Sequence, residues 1–216
     1  MKEPAQLHNL AIGGRSAKSF KAEGHWQKLV DALKDGDYVI ISFGHSDSNR
    51  AKAARYSSPS DYKNIIAGFV GDVRAKGATP ILATAIPYSG GFSEQDGKMR
   101  VRGGVAGIGS YVAKIVELGK ELEVPVLDLN KYAVDNLPKL GLEESYRLYM
   151  RIAPNEYKNC PYGRDDGLHT RDTGAFFFAK AAVELAAQQH LPICELWKDP
   201  KDVEHTPIPW EGPNAE

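Results

Sequence analysis

Short apolar runs alternate with segments of helical periodicity along most of this 216-residue chain. The apolar runs are "LHNLAI", "YVIISF", "PILATAI" and "VPVLDL", and the helical patterns occupy residues 25–36, 58–77, 109–123 and 172–190. Parallel strands need a long crossover connection, usually a helix, whereas antiparallel strands can be joined by a tight turn. The alternation therefore predicts an α/β fold in which a parallel sheet carries helices on both faces.

The segment 58–77 has the clearest helix boundaries. Its apolar residues recur on one helical face, Ser58 or Ser60 can cap its start, and Gly77 follows its last turn. These local signals predict a helix with defined ends and one buried face.

The chain is long enough for one large domain, which we predict over residues 1–190. Five prolines fall between Leu191 and Pro213. Proline removes a backbone donor and breaks regular structure, so residues 191–216 are predicted to form an extended, proline-rich tail.

The charge balance excludes several classes of partner. Lys and Arg number 27 against 28 for Asp and Glu, which predicts neither nucleic-acid nor membrane-surface binding. No apolar run approaches the roughly 18 residues of a membrane-spanning helix, and "MKEPAQLHNL" lacks the apolar core of a signal peptide. Cys160 and Cys194 form no metal or disulfide pattern, and they are either two thiols or one bridge.

Polar and glycine-rich segments follow the predicted strands. The first strand ends at "GGRS", the second at "GHSD" and the third at "AIPYSGG", while "GRDDGLHT" is predicted to be the loop before the last helix. The C-terminal ends of parallel strands share one edge of the sheet, where ligands bind. We therefore expect Gly14, Ser46 and His169 to lie together beside a shallow, polar groove.

Asp166 and His169 are three residues apart with Gly167 between them. A tight turn there would let the carboxylate accept a hydrogen bond from one imidazole nitrogen while the other nitrogen faces the groove. That arrangement is the base and its orienting acid in a nucleophilic triad. The alternative is a capping turn in which the Asp side chain accepts hydrogen bonds from backbone amides of the loop. His169 would then be an ordinary polar residue on the surface.

The segments "NLAIGGRSAKSF", "GDYVIISFGHSD", "GATPILATAIP", "VPVLDLN" and "DDGLHTRDTGA" decide between these alternatives when they are taken together. Their order and spacing resemble those of SGNH/GDSL hydrolases, and in particular the rhamnogalacturonan acetylesterase-like carbohydrate esterases. The resemblance covers residues 7 to about 190. It implies a three-layer, flavodoxin-like fold and hydrolysis of acetyl esters on pectin-like polysaccharides. It also implies that His169 is the general base, Asp166 its orienting acid, and the Gly14 amide an oxyanion donor.

The chain departs from the family pattern at two catalytic positions. The family's first strand ends in Gly-Asp-Ser, whose serine is the nucleophile, and no "GDS" occurs in this sequence. Ser46 stands where the family has an asparagine that donates to the oxyanion, and losing one such donor costs about 100- to 1,000-fold in rate. Ser16, Ser42 and Ser89 follow no strand-to-helix turn of the kind that holds a nucleophile, so none is predicted to replace it.

Residues beside this predicted groove have less defined roles. Arg15 is a candidate contact for an anionic sugar, with a surface salt bridge as the equal alternative. His45 is a candidate substrate-binding residue or a supporting hydrogen-bonding residue, and Asp47 is expected to fix its loop. Their spacing relative to Asp166 and His169 does not favour a metal site, so neither a metal nor another cofactor is predicted.

Two functions follow from these observations. The first is a carbohydrate esterase that acts on an acetylated polysaccharide or oligosaccharide and is inactive or impaired without the Gly-Asp-Ser strand. The second is a non-catalytic relative that binds a saccharide or a protein partner. In the strand order that the resemblance implies, the absent strand is central, so we expect residues 7–12 to pair directly with 38–43 in a marginally stable sheet.

Overall fold

A computed structural model of the chain describes residues 1–2, 5–158 and 160–204. The helices are α1 (Ala17–Ala22), α2 (His25–Ala32), α3 (Pro59–Ala75), α4 (Ile108–Glu121), α5 (Leu129–Leu140), α6 (Leu142–Arg147) and α7 (Asp172–Gln188). The strands are β1 (Tyr38–Ile41), β2 (Thr79–Ala83), β3 (Phe92–Gln95), β4 (Lys98–Val101), β5 (Val126–Leu127), β6 (Tyr149–Ile152) and β7 (Arg164–Thr170). Within the described residues, no helix is both long and apolar enough to cross a membrane.

The central sheet is parallel and has the strand order β1-β2-β5. Ile40 is opposite Ile81, and Leu82 is opposite Val126. Helices α3 and α4 lie in the two crossover connections, so the alternation of apolar runs and helical patterns is confirmed for this part of the chain. Ser58 caps α3 by accepting from the Asp61 amide, and Pro59 occupies the first helical turn.

Both faces of the sheet are covered, which makes three layers. On one face, Ile41 and Leu82 belong to a core with Trp26, Phe69 and Ile115 from the helices α2, α3 and α4. The opposite face is covered by α7 and the segment after it. Its buried members are Ile81, Ala83, Leu127, Ala186 and Ile193. The predicted three-layer α/β fold is therefore confirmed.

Residues 7–12 do not form the predicted strand and do not pair with β1. Leu7, Leu10 and Ile12 are 74%, 49% and 39% exposed, and Ile40 of β1 is 43% exposed. Within the described residues β1 pairs only with β2, so its other edge is open. An apolar run becomes a strand only where another strand takes up its backbone groups and another layer covers its side chains. Residues 7–12 have neither. The marginal stability that we expect of the sheet stays a prediction.

The segment after α7 is partly core, which corrects the prediction of an extended tail from Leu191. Pro192–Leu196 forms a 3₁₀ turn, and Ile193 is only 4% exposed. The Lys2 amide donates to the Leu196 carbonyl at 2.8 Å. Burial of an isoleucine side chain contributes about 1.5–3 kcal/mol, which favours a turn packed on the sheet over an extended tail. The last residues of the predicted tail, 205–216, lie outside the described residues, and the domain boundary at 190 stays a prediction.

Two further pairs of strands lie outside the central sheet. β3 and β4 form a hairpin whose turn residues, Asp96 and Gly97, both have positive φ. The dipeptide Asp-Gly is the signal for that turn, and sequence analysis missed it. β6 and β7 are antiparallel, so "GRDDGLHT" is mostly a strand and not the predicted loop. Its residues do not alternate between apolar and polar, so only the pairing with β6 reveals it.

Candidate active site

Asp166 and His169 lie in a bulge of β7. Thr170 is opposite Tyr149 and Asp165 is opposite Arg151, so residues 166–169 face the single residue between the two partners on β6. The predicted tight turn is thus a bulge of four residues within an antiparallel strand pair. Bulges re-aim side chains, and this one turns both catalytic candidates out of the ladder.

Gly167 makes the bulge sterically possible. A Cβ atom there would lie 2.7 Å from the Ser89 hydroxyl oxygen and 3.2 Å from the Arg151 guanidinium. No side chain fits into that space without moving a neighbour. Glycine at this position therefore lets β7 approach the loop after β2.

Four donors hold the Asp166 carboxylate. Its Oδ1 accepts from the amides of Leu168 and His169, both at 3.0 Å. Its Oδ2 accepts from the Nδ1 of His169 at 2.8 Å and from the Arg164 guanidinium at 2.9 Å. Burial alone would raise the Asp166 pKa, but the hydrogen bonds from His169 and Leu168 outweigh it and lower the pKa to about 2. The predicted contact between carboxylate and Nδ1 is confirmed, and the local amides are satisfied by the same carboxylate.

An ionised carboxylate only accepts hydrogen bonds, so Nδ1 of His169 carries the proton. Its Nε2 is then the basic nitrogen, and it makes no hydrogen bond within the described part of the chain. The side chain is 66% exposed. His169 is therefore in the tautomer that a general base requires, with its lone pair directed away from Asp166.

Asp47 joins the segment around Gly14 to the "GHSD" loop. Its Oδ1 accepts from the Ala17 amide at 3.0 Å, and its Oδ2 accepts from the Gly44 amide at 3.1 Å. The residue is fully buried, and burial raises its pKa to about 6 although several amides act in the opposite direction. The expectation that Asp47 fixes its loop is confirmed.

Gly14 and Ser46 present free donors on the two segments that Asp47 joins. Among the described residues, neither the Gly14 amide nor the Ser46 hydroxyl has a hydrogen-bond partner. Gly14 has φ of +72°, and the Arg55 guanidinium lies 3.3 Å from the place where a Cβ atom would be. Each donor is thus free to bind an acceptor, and the oxyanion role that the family resemblance implies stays a prediction.

His45 connects the "GHSD" loop to the loop after β2. Its Nε2 donates to the Ile86 carbonyl at 2.8 Å, and its ring meets the Tyr88 ring edge-on at 5.0 Å. Burial is the main cause that lowers its pKa; the Ile86 carbonyl opposes the shift and His169 adds to it. This geometry matches the supporting role that the sequence left open for His45. Its substrate-binding role stays a prediction.

Arg15 forms a surface ion pair, which was the alternative to sugar binding. Its Nε donates to Glu23 at 2.9 Å, and His25 contacts the same carboxylate at 3.1 Å. The Arg15 hydrogen bond is the main cause that lowers the Glu23 pKa. The predicted anionic-sugar contact at Arg15 would have to displace Glu23.

A cavity of about 620 Å³ opens beside Asp166. Its wall is formed by residues from the loop after β2, the segment before α4, and the β6–β7 pair. The lining residues are Tyr88, Gly90, Val105, Ala106, Arg151, Arg164, Asp165, Asp166, Gly167 and Leu168. Gly14, Ser46 and His169 are not among these lining residues. His169 directly follows the lining residue Leu168, and His45 and Tyr88 connect the side of Gly14 and Ser46 to this wall.

Arg151 and Arg164 are site residues that sequence analysis missed. Arg151 donates to Ser89 at 2.7 Å and to Asp165 at 2.8 Å, and it lies over the Tyr146 ring. Arg164 directly precedes the two aspartates, which was the available signal for it. Arg151 comes from β6, which no local pattern predicts.

None of the three serines considered from the sequence is placed to act as a nucleophile. Ser16 is buried and caps α1, accepting from the Ser19 amide at 3.1 Å. Ser89 is buried and accepts from Arg151. Ser42 is exposed and directly follows the last residue of β1. No serine in the described ranges bonds to His169.

Comparison with known proteins gives the family. The chain is 32% identical to rhamnogalacturonan acetylesterase RhgT of Bacillus subtilis over 191 residues, which cover 88% of this chain and 78% of that protein. The chain belongs to the rhamnogalacturonan acetylesterase family. This membership confirms the carbohydrate-esterase resemblance that its motifs suggested. No family model matches the sequence.

Solved structures support the same fold. The crystal structure of YxiM from Bacillus subtilis matches with a TM-score of 0.72 and 26% identity, over 87% of this chain. The chain spans 47% of that structure. Axe2, an acetylxylan esterase from Geobacillus stearothermophilus, matches with a TM-score of 0.55 and 17% identity over 81% of this chain and 68% of Axe2. That second likeness concerns the SGNH-type fold alone.

Proposed function

We propose that this protein is a carbohydrate esterase whose described residues supply the general base, its orienting acid and two oxyanion donors for hydrolysis of acetyl esters on a pectin-like polysaccharide. The observation that carries the proposal is the hydrogen bond of 2.8 Å between Nδ1 of His169 and Asp166, in a chain of this family. It leaves Nε2 of His169 free to take a proton from an attacking hydroxyl group. The Gly14 amide and the Ser46 hydroxyl would stabilise the negative charge that develops on the ester oxygen.

The cations around the site favour an acidic sugar over a neutral one. Arg55 has no carboxylate partner among the described residues, and its guanidinium lies against Gly14. Arg15, the sequence-based candidate for this contact, is already paired with Glu23. We therefore assign to Arg55 the contact with a uronate carboxylate that the sequence assigned to Arg15.

Catalysis requires a nucleophile that the described residues do not provide. His169 can activate water directly, but a lone base retains a small part of the effect of a complete triad. We therefore propose that this chain, purified as given, releases acetate slowly or not at all. The open edge of β1 is the place where a strand carrying a serine would join the sheet.

Acetate release from acetylated rhamnogalacturonan oligosaccharides tests the esterase. A slow activity that His169→Asn abolishes and His190→Asn leaves unchanged would support it; His190 lies two residues after the last residue of α7. Equal activity in wild type and His169→Asn would contradict the role of His169. Stoichiometric labelling of a serine by a phosphonate reagent would show that a nucleophile is present after all.

The second candidate function is saccharide binding without catalysis, which the absence of a serine bonded to His169 among the described residues favours. Titration calorimetry with the same oligosaccharides distinguishes the two functions. Binding with no acetate release in wild type would favour the non-catalytic function. Release that depends on His169 would exclude it.

A further inference from the structure

Tyr162 is a large aromatic residue whose side chain is almost fully exposed to solvent. It is 93% exposed, whereas the next most exposed large hydrophobic residue in the described part of the chain, Leu7, is 74% exposed. A single exposed apolar residue is ordinary on a protein surface. The position of Tyr162 distinguishes it, because it comes two residues before Arg164, which lines the cavity and holds Asp166.

The backbone beside Tyr162 is held in place by hydrogen bonds. The Gly163 amide donates to the Cys160 carbonyl at 2.9 Å, and the Asn155 amide donates to the Pro161 carbonyl at 3.0 Å. Gly163 has φ of +68°, and a Cβ atom there would lie 2.4 Å from the Ile152 carbonyl oxygen. The turn is therefore fixed against the end of β6, and Tyr162 is presented by a defined backbone.

The distance to the cavity is short. Two residues of extended chain span at most about 7 Å, so the backbone of Tyr162 lies within that distance of the backbone of Arg164. A phenol ring reaches several ångströms further. A polymer that enters the cavity with one sugar can therefore place a neighbouring sugar at Tyr162.

We propose that Tyr162 is a binding residue that stacks on a sugar ring of the polysaccharide next to the sugar whose ester is at His169. The C–H face of a pyranose ring is apolar and matches the face of an aromatic ring, while the phenol hydroxyl stays in water. Tyrosine has few rotatable bonds, so it loses little conformational entropy when it is ordered by a ligand. This proposal rests on the proposed function, since it needs a saccharide in the cavity.

The proposal makes affinity depend on chain length. A monosaccharide bound at the cavity does not reach Tyr162, whereas an oligomer that also supplies the neighbouring sugar does. Tyr162→Ala should weaken binding of an acidic hexasaccharide from rhamnogalacturonan about fivefold and leave binding of an acidic monosaccharide unchanged. Tyr162→Phe keeps the ring and should bind both within about twofold of wild type.

Titration calorimetry on the whole chain measures these affinities, and circular dichroism confirms that each variant is folded. Equal affinity of wild type and Tyr162→Ala for the hexasaccharide would overturn the role of Tyr162 while leaving the proposed function intact. Absence of any binding by wild type would overturn both. Loss of a dimer in Tyr162→Ala, seen by sedimentation without a change in affinity, would show that Tyr162 contacts a second copy instead of a sugar.

Discussion

The ring and the backbone of His169 donate to different oxygens of one carboxylate, that of Asp166. The Nδ1 lies 2.8 Å from Oδ2, and the backbone amide lies 3.0 Å from Oδ1. A single side chain thereby fixes both the bulge of β7 and the tautomer of the base. The sequence left two alternative interpretations of Asp166, a capping turn and a catalytic pair with His169. In the structure the same carboxylate makes both sets of contacts.

Asp166→Asn should change the tautomer of His169. The amide of asparagine can donate as well as accept, so Nδ1 is no longer required to carry the proton. The ¹⁵N chemical shifts of the imidazole should move from a Nδ1–H state towards a mixture of both tautomers. Asp165→Asn is the matched control, because Asp165 contacts Arg151 instead of His169. Unchanged shifts in Asp166→Asn would contradict the assignment.

Asp47 should make stability depend on pH near neutrality. Its pKa in the folded chain is raised from 3.8 to about 6, so the protonated carboxyl is favoured by folding. That contribution is complete below the unfolded pKa and is lost as the pH rises through about 6. Between pH 7 and pH 5, wild type should therefore gain roughly 1 kcal/mol of unfolding free energy relative to Asp47→Asn, which does not titrate. Urea unfolding at both pH values measures it, and a constant difference would mean that the amides hold Asp47 ionised.

Gly14→Ala should destabilise the chain by about 1–2 kcal/mol. The backbone at this position is left-handed, and the added Cβ would press on the Arg55 guanidinium at 3.3 Å. Gly13→Ala is the control, because it has no positive φ and no atom within 4 Å of an added Cβ. Its stability should stay within about 1 kcal/mol of wild type. Similar losses of unfolding free energy in both variants would show that the conformation of Gly14 is not the cause.

The two isoleucines of β1 should respond differently to truncation. Ile41 is 3% exposed in the core, so Ile41→Ala should cost about 2–4 kcal/mol. Ile40 is 43% exposed on the open part of the sheet, so Ile40→Ala should cost less than about 1 kcal/mol. Chemical denaturation compares the two variants. Equal costs would indicate that another segment or a second chain covers Ile40 in solution.

Elements whose signals lie within one segment follow from the sequence alone. The helix α3 carries its cap at Ser58, its proline at the first turn and its apolar stripe within one segment, and it formed as predicted. The contact between Asp166 and His169 was predictable for the same reason, since the two residues are three positions apart.

Features that need a partner from a distant part of the chain depend on the tertiary structure. Residues 7–12 include the apolar side chains of Leu7, Leu10 and Ile12 but pair with no strand, whereas the mostly polar residues of β7 form a strand because β6 pairs with them. Asp47 reaches across 30 residues to the Ala17 amide. A strand or a buried carboxylate is stable only when its hydrogen-bonding groups have partners. Those partners come from residues that are distant in sequence, so local spacing does not predict them.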